Sequence, residues 1–510
     1  MKRISAALFS ILFGTASFAQ EPLSAIEWLN QTATATVSPP ESVILNAPPV
    51  ASAVTIPQVQ VTTLDRQRAD AVGLLPSHST GLPVSLWSNS NAADLQRRFL
   101  NLSPEPLPAI QALYYTLLLA EADPPVDLTT DAEFLLTRLL ALRQFGAVEP
   151  ALALVEAAGL VPGNLFGHWF DLSLLTGQED RPCAALERRP HLSSDLSARI
   201  FCSARTGDWE KAALIYDSAV ALDAIDATDQ TLLALFLDPD LIDTVPPPDI
   251  PKTISPLEFR LFEAMGTPLQ THNLPKSFAH ADLRGTAGWK AELEAAERLA
   301  RTGALPASQL FGLYTARKPA ASGGIWDRVA AIQALDAALS QGDLPAVAKG
   351  LPVAWAAMRS RRLEVPFADV FGPRLMGLEL PNEVTELAFR ILLLSSSYGA
   401  AAKEQQSEER TRRYLADLAR GQPKLDDAQS SLEEAIVRGF MATEPPSAQK
   451  TLLDNGRLGE AILGAAAQLD QPSESGRDDI SGAIATLRAV GLEETARRAA
   501  LQLLLLDIRR

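Results

Sequence analysis

The chain has 510 residues, of which 47% are apolar and only 6% aromatic, and its formal net charge is −16. That length allows about three domains, and the core must be built mostly from Ala, Leu and Val. An acidic surface of this kind repels nucleic acid and anionic lipid, which argues against a nucleic-acid partner.

The first nineteen residues predict a signal peptide. Lys2 and Arg3 make a short positive start, an apolar run extends from Ile4 to Phe13, and Ser17-Phe18-Ala19 supplies the small residues of a cleavage site. The run is roughly ten residues, enough for a signal core and too short to span a bilayer. Cleavage is expected after Ala19, delivering the mature chain to the periplasm. Without Lys2 and Arg3, the 45 basic residues fall to 43 against 61 acidic, a net −18. No Cys follows the apolar run, so a lipid anchor is not expected. The longest later apolar stretch, Ile391-Leu392-Leu393-Leu394, runs into three serines, far short of the roughly eighteen residues of a spanning helix. No stable membrane insertion is expected.

Residues 20–91 predict a short helix followed by a disordered, extended, Pro-rich linker. Ile26, Trp28 and Leu29, with Leu23, give one or two apolar turns that could serve as a linear docking segment or fold back on the body. Pro39-Pro40, Pro48-Pro49 and Pro57 then forbid helix, because proline lacks the backbone donor and restricts its neighbour. Residues 64–90 stay irregular, and their apolar residues, Trp87 among them, are expected to pack along a neighbouring surface.

From residue 92 a 3.6-residue period dominates, as in Leu113, Leu117 and Ala120, or Val329, Ile332, Leu335 and Leu339. Two helical blocks are predicted, 92–237 and 257–510. Between them residues 238–256, with Pro246-Pro247-Pro248 and Pro251, make an inserted loop or a hinge. Within the first block lie the only two cysteines, Cys183 and Cys202. Pro182 suits a helix start near 182–188, and Ser193-Ser194-Asp195 suits a turn and N-cap for a helix ending near Arg205. In an antiparallel pair the two thiols lie at similar levels, about 9 and about 12 Å from the turn. The expectation is a disulfide.

One local pattern recurs: Gly, an apolar residue two positions on, and Ala at five. It occurs at Gly146/Ala151, Gly207/Ala212 and Gly456/Ala461, with looser forms at Gly303, Gly342 and Gly491. The starts at 303 and 342 lie 39 residues apart, and those at 456 and 491 lie 35 apart, within helix-pair repeat periods. Residues 196–223, with Gly207-Asp208-Trp209-Glu210-Lys211-Ala212, Tyr216, Ala219 and Leu222, resemble a tetratricopeptide unit. The turn and second helix match, whereas Ile200, Ser203 and Ala224 depart from the family pattern. The expected fold is all-α, an α-solenoid of tetratricopeptide-like helix pairs. The chain as a whole is similar to a family of uncharacterised exported bacterial helical-repeat proteins, some labelled "antifreeze glycopeptide polyprotein". The shared features are Asp70-Ala71-Val72-Gly73-Leu74-Leu75-Pro76 and Phe278-Ala279-His280-Ala281-Asp282-Leu283-Arg284-Gly285. An antifreeze glycopeptide is an Ala-Ala-Thr repeat, and Thr32-Ala33-Thr34-Ala35-Thr36 is the only trace of one. The resemblance therefore implies location and helical fold and carries no activity.

Chemistry-bearing motifs are sparse. With five histidines there is no His-Glu-x-x-His, phosphate loop or dinucleotide fingerprint, and no cofactor or metal is expected. Ser447-Ala448-Gln449-Lys450 lacks the companion motifs of acyl-serine enzymes. Gly285 to Lys290 reads as a helix start, and Asp223, Asp226 and Asp229 as an exposed acidic turn. Arg359-Ser360-Arg361-Arg362 and Arg410-Thr411-Arg412-Arg413 read as solvated helix faces rather than phosphate sites. The best polar cluster is His280, Asp282 and Arg284, with His272 and Trp289 near in sequence. It would suit acid–base work if it converged in a pocket, and otherwise a loop pinned by hydrogen bonds and an ion pair. Two functions are therefore expected: a non-catalytic periplasmic scaffold for a protein or peptide partner, or a cell-envelope, peptidoglycan-related enzyme with a helical superstructure.

Overall fold

The computed structural model describes residues 68–159, 165–319, 321–404, 408–470 and 476–506. The leader, the segment carrying Ile26, Trp28 and Leu29, and the Pro-rich stretch to residue 63 lie outside them. Among the described residues the chain is all-α, with twenty-five α-helices and no β-strand. One isolated parallel bridge joins Leu75 and Ala120.

Consecutive helices pack as pairs. Leu196–Arg205 lies on Trp209–Ala221, Ile325–Gln341 on Leu344–Arg359, and Glu364–Leu375 on Asn382–Leu394. The corners follow the glycine pattern. Gly146, Gly207, Gly303, Gly342, Gly456 and Gly491 all have φ between +65° and +92°, the left-handed conformation that ends a helix. The alanines that follow, Ala151, Ala212, Ala461 and Ala496, are fully buried, and their small side chains let helix axes approach. Asp195, Asp208, Asp226 and Asp343 each cap the next helix by accepting a backbone N–H three residues on.

Cys183 and Cys202 form a disulfide, with their Cα atoms 4.8 Å apart. It joins Asp180–Arg188 to Leu196–Arg205, near the start of one helix and the end of the next. The first helix begins two residues before Pro182, which sits in the opening turn where its missing N–H costs no intrahelical bond.

Residues 68–91 belong to the body rather than to a linker. Asp70, fully buried, lies across the start of Glu133–Phe145: its Oδ2 accepts from Ala132 N at 3.0 Å, and its Oδ1 from Phe134 N and Leu135 N at 2.9 and 3.0 Å. Arg138, on the same helix and 1% exposed, donates to the carbonyls of Leu118, Val72, Ala120 and Asp70. Burial pulls its guanidinium down to about 10, and Asp70 opposes that shift. Gly73 lies so close to the backbone of Ala120 and Glu121 that an added Cβ would overlap it. The segment Asp70–Pro76 is thus a structural clasp.

The two ends of the described body also meet. Pro108–Leu119 packs on Leu458–Asp470 and on Glu493–Leu505. Ala109 N donates to Gln502 Oε1 at 2.8 Å, Leu107 N to Asp470 Oδ1 at 2.9 Å, and Gly459 N to the Leu86 carbonyl at 3.3 Å. Trp87 covers Gly459 so closely that a methyl group there would strike its ring. The Pro-rich stretch carries a 3-10 turn at Pro239–Asp243 and then no helix until Ser255 caps Pro256–Ala264 through a reciprocal bond with Glu258. The flanking helices Ala227–Leu237 and Pro256–Ala264 still pack on one another. No helix among the described residues is long and apolar enough to cross a membrane.

Candidate functional site

The cluster named from sequence does not converge. His280 is buried, with Nε2 2.7 Å from the carbonyl oxygen of Gly146. Burial pushes its imidazole down to about 4, against the pull of that hydrogen bond, so it is neutral at physiological pH. Asp282 accepts from the Thr271 hydroxyl; burial raises its carboxyl above the usual range, offset in part by Thr271 and Arg284. Arg284 pairs with Glu263 and donates from Nε to the Ala281 carbonyl at 3.0 Å. Trp289 donates to the Leu313 carbonyl at 3.0 Å and lies 5.2 Å from the Trp326 ring. The segment pins its neighbourhood through these bonds.

Asp282 and His272 do, however, border a half-open cleft of about 1290 Å³. One wall is aromatic: the Phe201 and Phe236 rings are 5.5 Å apart and stacked, and Trp209 tilts against Phe236 at 6.0 Å. Trp209 is 50% exposed, although it opens the helix Trp209–Ala221. That helix buries fully only Ala212 and Ala219, and Leu214 and the capping Leu222 just after it stand largely in solvent. Trp289–Ala300 also lines the cleft, with small residues such as Ala291 and Ala295. Gly288 caps that helix, so the stretch from Gly285 to Lys290 starts a helix as its sequence suggests.

A line of alternating charges begins in the cleft lining with Glu179, Arg260 and Glu263. Glu179, 1% exposed, accepts from Arg260 Nη2 at 2.6 Å, and Arg260 Nη1 reaches Glu263 Oε2 at 2.6 Å. Glu263 in turn holds Arg284. Burial pulls Arg260 down, but its bonds and charges to Glu263 and Glu179 outweigh this and hold it above the ordinary value. Neither Glu179 nor Arg260 carries a local sequence signal, because they lie 81 residues apart in the chain.

The remaining motifs have structural partners. Asp226 caps its helix and Asp229 accepts from the Ser197 hydroxyl at 2.6 Å. Lys450 pairs with Glu444 rather than with Ser447. Arg412 and Arg413 pair with Glu386 and Asp427. Among the described residues, no group of three or more His, Cys, Asp or Glu side chains is placed to hold a metal ion.

Fold and cleft together define an all-α protein of packed helix pairs with an aromatic-walled groove. No family model, curated protein or solved structure matches the chain.

Proposed function

We propose that the chain is a non-catalytic periplasmic helical-repeat protein of the tetratricopeptide-like kind, whose cleft holds a peptide or a segment of a partner protein. The observation that carries this reading is a groove of about 1290 Å³ with the half-exposed Trp209 in its lining. Aromatic side chains in that position supply contact area at low entropic cost. Acidic and basic groups are balanced along the groove, with Glu179, Glu263, Asp282 and Glu294 against Arg205, Arg260, Lys290 and Arg298. That balance suits the mixed polarity of a polypeptide better than a strongly charged ligand. The Cys183–Cys202 bridge supports an oxidising compartment.

The alternative, a cell-envelope enzyme working through His280 and Asp282, lacks its pair. Asp282 lines the cleft, whereas His280 turns to the Gly146 carbonyl.

The test is site-specific photocrosslinking in cells, with p-benzoylphenylalanine in place of Trp209 and, as control, in place of Val353, an exposed residue of Leu344–Arg359. The expected result is a discrete protein adduct from the Trp209 position alone, in the periplasmic fraction. Equal adducts from both positions, or none from Trp209, would overturn the reading.

A further inference from the structure

Against a net charge of −16, one region carries a local surplus of the opposite sign. Lys276, Arg301 and Arg362 all lie within 4 Å of one carboxylate, Glu105, at 3.6, 3.8 and 2.9 Å. Arg328 and Arg361 share a second, Glu297, at 2.8 and 2.9 Å. Arg298, close in charge to Arg301, Glu105 and Asp282, joins them, so that six cations stand against three acids. Five elements bring them together: the loop at Glu105, the turn Lys276–Phe278, the end of Trp289–Ala300, the start of Ile325–Gln341, and the turn after Leu344–Arg359.

Part of this crowding has a structural cause. Two helices end here, and their terminal carbonyls favour cations. Arg298 is consumed by the carbonyls of Thr271 and Leu274. Glu297, fully buried, is saturated by Tyr314, Arg328 and Arg361. Glu105 is different. It is 30% exposed and sets one negative charge against three cations. Arg301 sits beyond hydrogen-bond reach of it, and the buried Arg301 Nε has no acceptor. Arg362 is 61% exposed and engages Glu105 through one Nη only. Burial and the neighbouring Arg361 and Arg362 pull Arg301 below its usual value, against Glu105 and Glu297, and burial with Arg301 and Arg298 does the same to Lys276 against Glu105. A further negative charge would relieve both.

We propose that Lys276, Arg301 and Arg362 form a binding site for a small multivalent oxyanion bearing phosphate groups, such as a phosphate or diphosphate. Arginine forks match phosphate geometry, and a dianion neutralises what one carboxylate leaves over. Polyanions and anionic bilayers meet the repulsion of the rest of the surface. The proposal stands apart from the peptide-binding cleft and survives if that reading fails.

The experiment is calorimetric titration of the full chain with pyrophosphate and with inorganic phosphate at fixed ionic strength. Sedimentation with phosphatidylglycerol vesicles runs alongside, and far-ultraviolet circular dichroism checks each variant. One pyrophosphate per chain is expected, with phosphate weaker. R301Q and R362Q should each weaken binding roughly tenfold, the worth of one charge-assisted bond. E105Q, which removes the competing carboxylate, should tighten it, and a purely structural cluster would not produce that rise. R438Q, at an exposed arginine elsewhere, should change nothing. Binding to vesicles alone, lost in R301Q, would support the phosphate site with a lipid headgroup as its source. Binding of neither anion and of no vesicle, or binding indifferent to R301Q and E105Q, would overturn the proposal. Should R301Q unfold, E105Q decides alone: tighter binding supports the site and unchanged binding refutes it.

Discussion

Replacing Asp70 with alanine tests how the first described residues hold the body together. The carboxylate accepts three amides at 2.9–3.0 Å and faces the buried Arg138. Each bond to a charged acceptor contributes about 1.5–3 kcal/mol, and a buried amide left unpaired costs about 1–3 kcal/mol. Three such bonds, partly relieved by relaxation, place D70A at about 4–6 kcal/mol of lost stability. An ordinary helix cap would lose about 0.5–2 kcal/mol. Asparagine keeps Oδ1 for Phe134 and Leu135 but turns an NH2 toward Ala132, so D70N should lose about half as much. Urea unfolding followed by circular dichroism measures the totals. Hydrogen exchange of the Ala132, Phe134 and Leu135 amides localises them. A D70A loss under about 1 kcal/mol, or equal losses in D70A and D70N, would refute the reasoning.

Three further outcomes follow from the same structure. C183A/C202A opens a bridge that spans 19 residues, and should lose about 3 kcal/mol in urea titrations by chain-entropy arithmetic; an unchanged midpoint would contradict it. Burial raises the carboxyl of Asp470 to about 6, so the folded state binds more protons than the unfolded between pH 4 and 6. Its contribution to stability therefore falls as pH rises through that window, and D470N, which still accepts from Leu107 N, should melt higher than wild type at pH 7.5 and equally at pH 4. G459A gains about 1 kcal/mol of helix propensity but drives a methyl group into the buried Trp87 ring, at about 1–3 kcal/mol. Its melting temperature should fall, and the double variant G459A/W87L should fall by less than the sum of the two single changes.

Most of the helices were legible in the sequence because their signals are local. Gly207 ends one helix, Asp208 caps the next and Ala212 sits in the seam, all within six residues. The disulfide was legible for the same reason, since one turn sets the level of both thiols. What failed to converge is also physical. His280 and Asp282 are two residues apart on a helical turn, which sends them to opposite sides, one to Gly146 and the other to the cleft. Arg361 and Arg362 read as a solvated face, yet Glu297 and Glu105 draw them into ion pairs across 64 and 257 residues of chain. No window of sequence contains both partners. The same holds for Glu179 and Arg260 and for Trp87 on Gly459.

The contact between Ala109 and Gln502, 393 residues apart, has a consequence for biogenesis. Synthesis delivers Pro108–Leu119, a helix apolar on nearly every side, long before the helices that cover it. Until Leu458–Asp470 and Glu493–Leu505 are made, that helix is a sticky nascent element, and its packing waits for them. Loss of Glu493–Leu505 by clipping or premature termination would uncover Pro108–Leu119, nearly four hundred residues away in the chain, so damage at one helix would be felt as exposed apolar surface at a distant one.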